Sequence, residues 1–268
     1  MTPEAKNCLS AGQYSGAIDR LKHIDGLIAG TTVYEKNAFG RDFHYHENPH
    51  LTYILQGGNI ENRKGTNVEL KAGDVVFYHS GEWHQTLPAA AFSKNINLEI
   101  EEVFLKTFDI SESNLNEAVR QNPDSKFLLL KIYKELLTDD PLTDVSIQML
   151  LLKIAEDSPT RHICKPRWII KLYEILNDRW NESHNLADLS ASLQVHPVTI
   201  SKCFPKFFGC TLGEYVRKLK IEKSVVLMKN SRLSLTEIGA ECGFSDQSHF
   251  TRNFKALTGF LPRQFKKI

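Results

Sequence analysis

Three stretches of the chain carry three different rhythms of apolar and polar residues. Between about residues 30 and 104 the apolar residues come in short β-branched or aromatic runs. These are Leu51-Thr-Tyr-Ile-Leu55, Asn67-Val-Glu-Leu70, Val75-Val-Phe-Tyr78 and Ile96-Asn-Leu-Glu-Ile100. Turn-forming groups separate them: Gln56-Gly-Gly-Asn59, Lys64-Gly-Thr66, Ala72-Gly-Asp74 and Ser80-Gly-Glu82. Short runs punctuated this way read as strands, and many of them in succession predict a sandwich or barrel. From about 111 to 164 the spacing turns helical. Leu128, Leu129, Ile132, Leu136 and Leu137 crowd one stripe, Phe127, Leu130, Lys131 and Lys134 fall on other faces, and Pro141 stops the helix. Val145, Ile147, Met149, Leu150, Leu151, Leu152 and Ile154 form a second helix that is apolar nearly all round. Such a helix is expected to bury most of its surface, against the strands or against a second copy of the chain. Residues 158–166 read as a linker, and everything after them as helices joined by short turns.

The last third contains a degenerate repeat. Leu186-Ala-Asp-Leu189 matches Leu235-Thr-Glu-Ile238, and Ala191 matches Ala240. After one inserted residue Lys202 matches Arg252, Phe204 matches Phe254, Gly209 matches Gly259 and Tyr215 matches Phe265. Each unit is a short apolar helix, a turn and a second helix ending in glycine, the pattern of a helix-turn-helix. Leu186, Leu189, Leu193, Ile200 and Phe204 are expected inside the first unit. Leu235, Ile238, Cys242, Phe250 and Phe254 are expected inside the second. Gly243 suits a turn residue with positive φ, and Gln194 fills the matching slot at some strain. Residues 212–229 form a long helix between the units, a rigid spacer. Two polar helix faces result: Thr199, Ser201, Lys202 and Lys206 on one, and Asp246, Gln247, Ser248, His249, Thr251, Arg252 and Lys255 on the other. Pro205, inside the first of these helices, is expected to end or kink it early.

Composition narrows the field. At roughly 100–200 residues per domain, 268 residues suggest two domains. A chain that is 41% hydrophobic and 24% charged is neither disordered nor collagen-like nor a disulfide scaffold. No run approaches the roughly 18 consecutive apolar residues of a membrane span, and residues 1–10 do not read as a secretory signal. The cysteines at 8, 164, 203, 210 and 242 make no CxxC pair, which fits free thiols in a reducing cytoplasm. The net charge of +1 conceals an asymmetry. Residues 1–165 carry 17 Lys+Arg against 23 Asp+Glu, whereas residues 166–268 carry 16 against 9. The basic final third is the part suited to a polyanion.

At this point a resemblance becomes specific. Ile238-Gly-Ala-Glu-Cys-Gly-Phe-Ser-Asp-Gln-Ser-His-Phe-Thr-Arg-Asn-Phe254, followed by Thr258-Gly-Phe-Leu-Pro262, strongly resembles the signature of the AraC/XylS family of transcriptional regulators. The resemblance covers about residues 166–268. It implies two DNA-reading helix-turn-helix units behind an N-terminal sensing and dimerisation domain of cupin-like form. It puts Val198, Ser201 and Lys202 in base-facing slots of the first unit, and Gln247, Ser248 and Arg252 in those of the second. An Arg pairs bidentately with guanine, a Gln with adenine, and Val198 meets a thymine methyl. Lys206, His249 and Lys255 complete the DNA-binding set. Arg217, Lys218, Lys220, Arg263, Lys266 and Lys267 are candidate phosphate partners.

The N-terminal histidines raise a second chemistry. His44-Tyr-His46 with His50 resembles the first cupin motif, with His50 where a glutamate stands in the family. Gly73 to His84 resembles the second motif, with His79 in place of proline. In metal-binding cupins the matching positions are ligands, which here gives His44, His46, His50 and His84 and a divalent transition metal as the cofactor. Without a metal, Phe43, His44, His46, Tyr53, Phe77, Trp83 and His84 are the candidates to line an effector pocket.

The expected fold is therefore multidomain α+β. A cupin-like β-barrel sensor spans 1–110, a helical dimerisation and linker region 111–165, and an all-α domain with two helix-turn-helix units 166–268. The expected function is a cytoplasmic, effector-controlled, sequence-specific regulator of transcription and not an enzyme. Its expected partners are double-stranded DNA, a small-molecule effector, a second copy of the chain and RNA polymerase, with no membrane. The rival is a metal-dependent cupin enzyme, a dioxygenase or isomerase, fused to a DNA-binding domain.

Overall fold

The computed structural model describes residues 7–35, 42–156 and 166–268. The chain divides into two compact units, Met1–Ser158 and Pro159–Ile268. Apart from Pro166, the linker expected over 158–166 lies outside the described residues.

The first unit begins with strands β1 (Cys8–Leu9), β2 (Ala17–Ile24), β3 (Leu27–Glu35), β4 (Tyr45–His46), β5 (His50–Gln56) and β6 (Gly58–Arg63). It continues with β7 (Thr66–Lys71), β8 (Val75–Tyr78), β9 (His84–Pro88) and β10 (Phe92–Ile100). Helices α1 (Glu102–Thr107), α2 (Glu112–Gln121), α3 (Ser125–Thr138) and α4 (Thr143–Glu156) follow. Five strands pair antiparallel in the order β2-β3-β10-β5-β8, and three more as β7-β6-β9. The short β1 and β4 pair parallel. A single antiparallel bridge joins His44 to His84. Among the described residues the ladders make separate sheets and do not run round into one closed barrel, which corrects the closed form expected from sequence. Strands also begin earlier than residue 30. β2 is an edge strand exposed along most of its length, with Ile18 and Leu21 facing solvent, so it lacks the buried alternation that marks a strand in sequence.

The central strand β10 shows how this unit is built. Ile96, Leu98 and Ile100 are buried, and so are the alternating Ser93, Asn95, Asn97 and Glu99. Successive side chains of a strand point to opposite faces, so one face of the sheet is apolar and the other polar. Polar groups out of water need partners. Thr52 Oγ1 donates to Asn97 Oδ1 at 2.9 Å, and Asn97 Nδ2 donates to Thr32 Oγ1 at 2.9 Å. Glu99 accepts from the Gly12 backbone N–H at 2.9 Å and from Asn48 Nδ2 at 2.9 Å. Helix α3 lies against β3. It is buried at Phe127, Leu128, Leu129, Leu130, Ile132, Tyr133 and Leu136, more completely than a single stripe predicts. Helix α4 departs in the opposite sense. Only Thr143, Ile147, Leu151 and Ile154 are buried, while Val145 and Met149 are exposed.

The second unit holds α5 (Arg167–Asp178), α6 (Leu186–Leu193), α7 (Pro197–Phe208), α8 (Leu212–Asn230), α9 (Leu235–Glu241), α10 (Gln247–Thr258) and α11 (Pro262–Lys267). Side-chain caps start most of these helices. Asn185 accepts the backbone N–H of Asp188, and Asp246 that of His249. Thr211 and Ser234 each form a reciprocal capping box, with Glu214 and Glu237 respectively. Leu172, Leu176, Leu189, Leu193, Ile200 and Phe204 form one core. Ile238, Cys242, Phe250, Phe254, Phe260 and Phe265 are the matching buried residues of the other half. Leu186 is exposed, against expectation, since it begins α6 where the helix leaves the core.

The two inter-helix turns carry the predicted strain. Gln194 ends α6 at φ 54°, and Gly243 occupies the equivalent slot after α9 at φ 67°. A Cβ on Gly243 would lie 2.2 Å from the carbonyl oxygen of Asn181, so glycine is needed for space as well as for φ. Pro205 does not end α7. The helix continues to Phe208, and its last turn closes with the Gly209 N–H on the Pro205 carbonyl. No helix of the described residues is long and apolar enough to cross a membrane.

Candidate nucleic-acid interface and histidine cluster

In the first unit, strand geometry gathers the histidines on one side. His44 and His84 exchange both backbone N–H···O bonds at 2.9 Å, so their side chains stand directly opposite each other. His46, two residues along, projects to the same face as His44. Ring centroids lie 4.4 Å apart for His44 and His84, 5.4 Å for His44 and His46, and 5.5 Å for His46 and His84. All three are buried, and one ring nitrogen from each lies within 4.8 Å of the others. Burial drives the imidazole pKa values down, to about 2 for His46 and about 3 for His84, with neighbouring histidines adding to the shift. His44 is lowered by burial too, and His50 well below its usual value. All four are neutral at neutral pH.

His50 lies against one corner of the triangle, its ring centroid 4.2 Å from that of His46. Its ring stacks on Tyr78 at 4.4 Å and lies 6.4 Å from His84. Of the four expected ligands, His44, His46 and His84 each bring one ring nitrogen within 4.8 Å of the others.

The effector candidates also divide. In the register of β5 and β8, His50 pairs with Tyr78 and Thr52 with Val76, whereas Leu51 pairs with Phe77 and Tyr53 with Val75. Tyr53 and Phe77 therefore lie on the sheet face opposite His50 and Tyr78, and the expectation that they join the histidines fails. A strand side chain's face follows its parity, and parity separates them from the cluster. Phe43 and Trp83 are partly exposed at 40% and 42%, Trp83 with its ring 5.0 Å from that of Tyr45. What the sequence reading passed over is the polar face beside the cluster: Thr32, Thr52, Glu61, Asn95 and Asn97. Burial raises the Glu61 carboxyl to about 7, against the opposing effects of the Thr86 hydroxyl and Arg63. The strict alternation of Asn95, Asn97 and Glu99 with Ile96, Leu98 and Ile100 was the available signal.

In the second unit the contrast between inside and outside is sharp. On α7, Ile200 and Phe204 are fully buried, while Val198, Ser201, Lys202 and Lys206 are exposed. On α10, Phe250 and Phe254 are fully buried, while Gln247, Ser248, Arg252 and Lys255 are exposed. Both helices are thus anchored by one apolar edge and present a polar one. A cleft of about 470 Å³ takes Ser201 from α7, Arg217 from α8 and His249 from α10, so the two polar edges border a common opening.

A family model described as a helix-turn-helix domain matches residues 189–268. Residues 189–268 thus carry a helix-turn-helix domain of the AraC type. Its relatives include the Msm operon regulatory protein of Streptococcus mutans, 26% identical over 51% of this chain and 55% of that protein. The transcriptional activator RhaR of Mannheimia succiniciproducens is 20% identical over 83% of this chain and 86% of the relative. The chain thus spans about half the length of the first of these and most of the second. Among solved structures, ToxT from Vibrio cholerae O395 aligns over 91% of this chain and 98% of its own, at 14% identity with a TM-score of 0.39.

Within the AraC-type domain, not every basic residue faces outward. Lys220 is buried, its Nζ donates to the Gly243 carbonyl at 2.9 Å, and burial lowers its pKa. Lys266 donates to the Leu233 carbonyl. Both brace turns of the AraC-type domain, and Lys220, being buried, is withdrawn from the candidate phosphate partners. His249 is half-buried. Its ring packs edge-on to Phe244 at 5.4 Å, and its Nδ1 lies 3.3 Å from Ser245 Oγ. These contacts hold its ring at the start of α10.

Proposed function

We propose that this protein is a sequence-specific DNA-binding regulator of transcription, controlled by a small molecule sensed in its first unit, and not an enzyme. The observation that carries the reading is the pair of helices α7 and α10, each pinned by buried apolar residues and each presenting exposed polar side chains. In this reading they are the second helices of two helix-turn-helix units. The basic balance of residues 166–268 adds the charge that a phosphate backbone requires. Helix α8 packs against α7, α9, α10 and α11. Its 19 residues span about 28 Å at about 1.5 Å each, a stiff bar between two reading heads. Val198, Ser201 and Lys202 read bases from the first head, and Gln247, Ser248 and Arg252 from the second. Lys206 and Lys255 hold phosphates.

Residues 1–110 act as the sensor, with the effector meeting the polar sheet face near His44, His46 and His84, and Phe43 and Trp83 at its rim. Residues 111–165 mediate homodimerisation, with Val145 and Met149 of α4 as apolar contacts. The site of action is the cytoplasm, on double-stranded DNA and beside RNA polymerase.

The test is selection of fragmented genomic DNA by the full-length protein, followed by binding of Arg252→Ala to the recovered site. The loss expected is about 1–3 kcal/mol with relaxed discrimination at one base position. Lys255→Ala should weaken all sequences alike and make the salt slope shallower by about one. Unchanged sequence preference in Arg252→Ala would show that α10 does not enter the groove.

A further inference from the structure

The cleft between α7 and α10 holds one side chain to which the DNA-reading proposal gives no task. We propose that Arg217 enters the minor groove that faces the protein between the two reading heads, and so makes binding depend on A·T base pairs that neither head touches. This rests on the reading of α7 and α10 as groove-entering helices and adds a specificity-determining residue to it.

The cleft selects Arg217 by elimination. Its cationic and titratable lining residues are His184, Arg217, Lys220 and His249, and no Asp or Glu lines it. Three of these are engaged. His184 Nε2 lies 2.8 Å from the Arg179 carbonyl oxygen, Lys220 Nζ donates to the Gly243 carbonyl at 2.9 Å, and His249 Nδ1 lies 3.3 Å from Ser245 Oγ. Arg217 is exposed and makes no hydrogen bond or ion pair among the described residues. Glu214, whose carboxylate feels its charge, is already held by the backbone N–H and the hydroxyl of Thr211 at 2.8 Å each. A guanidinium carries five N–H donors and a permanent charge. Left unpaired and exposed between the two heads, it is available to a partner outside the chain.

Gly213 keeps the approach open. It lies four residues before Arg217 and lines the same cleft. Its φ is not positive, and a Cβ there would meet only Arg217 Nη1, at 3.4 Å. Neither backbone conformation nor packing within the domain therefore calls for glycine. A bare backbone lets a large ligand come close, and it leaves Arg217 as the side chain that projects from this part of the floor.

Duplex geometry names the groove. Helices entering successive major grooves on one face lie about 34 Å apart, and halfway between them the minor groove is turned toward the protein. Ser201 of α7 and His249 of α10 border the cleft that contains Arg217, so its guanidinium sits between the two heads. The minor groove is about 6 Å wide, and A·T runs narrow it further and deepen the negative potential that draws in arginine. The 2-amino group of guanine projects into the same groove and opposes this. Arg217 thus discriminates through groove shape and potential, without touching a major-groove edge.

The experiment uses the full-length protein and the duplex it recovers from fragmented genomic DNA, with the two contacted segments located by hydroxyl-radical footprinting. The base pairs midway between those segments are made all A·T, all G·C or all inosine·C. An inosine·C pair keeps the major-groove edge of G·C but lacks the 2-amino group, so its minor groove resembles that of A·T. Wild-type protein should bind the A·T and inosine·C duplexes within about 2-fold of each other, and the G·C duplex about 5-fold or more weaker. Arg217→Ala should bind all three alike, whereas Arg252→Ala should keep the ranking. Inosine·C behaving as G·C in the wild type would overturn the proposal, and this comparison decides even if circular dichroism shows Arg217→Ala misfolded. A ranking that survives in folded Arg217→Ala, with a uniform loss of affinity, would also overturn it and leave Arg217 a phosphate contact only. Wild-type protein that retains no particular DNA sequence would remove the regulator reading, and this proposal with it.

Discussion

The two units solve opposite problems with polar residues. In the first, the chemistry is hidden: Thr32, Thr52, Asn59, Glu61, Asn95, Asn97, Glu99 and four histidines are all buried. In the second, the buried polar side chains among the described residues are Lys220, Ser224 and Thr258, and the interior is mostly leucine, isoleucine and phenylalanine. A groove-reading surface must stay solvated and accessible, because its partner is itself a hydrated polyanion. A small-molecule or metal site gains strength from a dry, low-dielectric setting, where each polar contact counts for more. The same contrast predicts different vulnerabilities. The second unit depends on apolar volume, the first on satisfied polar groups and their protonation.

The largest effect should come from the apolar side. Phe250→Ala empties a fully buried ring position and should cost about 3–5 kcal/mol, read as a lowered urea midpoint with loss of DNA binding. A loss below about 1 kcal/mol would mean that this interior is not close-packed.

Next comes a pH effect confined to the first unit. Glu61 titrates at about 7 when folded and at 4.5 when exposed. At about 1.4 kcal/mol for each tenfold change in proton affinity, ionising it in place costs on the order of 3 kcal/mol. Because the folded value is raised, the relative stability is present below about pH 4.5 and lost as pH rises through about 7. Glu61→Gln should therefore be nearly neutral at about pH 4.5 and markedly stabilising at about pH 8. Parallel denaturation curves at the two pH values would break the comparison.

The smallest effect lies in a turn. Gln194 holds φ 54°, a conformation that glycine adopts without a Cβ penalty, so Gln194→Gly should raise the melting temperature by the equivalent of about 1 kcal/mol or less. A fall instead would show that the Gln194 side chain matters more than its backbone.

Helix positions in the second unit were largely legible in the sequence. The repeat, the caps and the glycines that end α7 and α10 are local signals, and the buried residues of α7 and α10 follow from period 3.6. Local chemistry misled at Pro205, where the helix tolerates the proline, and at Lys220 and Lys266, which read as solvated charges but brace backbone carbonyls. The four β-runs were legible too, but β2 was not, since an edge strand exposed along most of its length carries no buried alternation.

By itself, then, the sequence determined what acts within a few residues: helices, turns, the polar faces of α7 and α10, and the HxH spacing that sets His44 and His46 on one side. Tertiary structure alone decided what depends on strand register. It placed His84 opposite His44 across 40 residues of chain, turned His50 onto Tyr78, and sent Tyr53 and Phe77 to the other face. The physical reason is parity. Shifting a strand by one residue exchanges its two faces, and which face meets the histidines is fixed by pairing between distant segments, not by any residue's own neighbours.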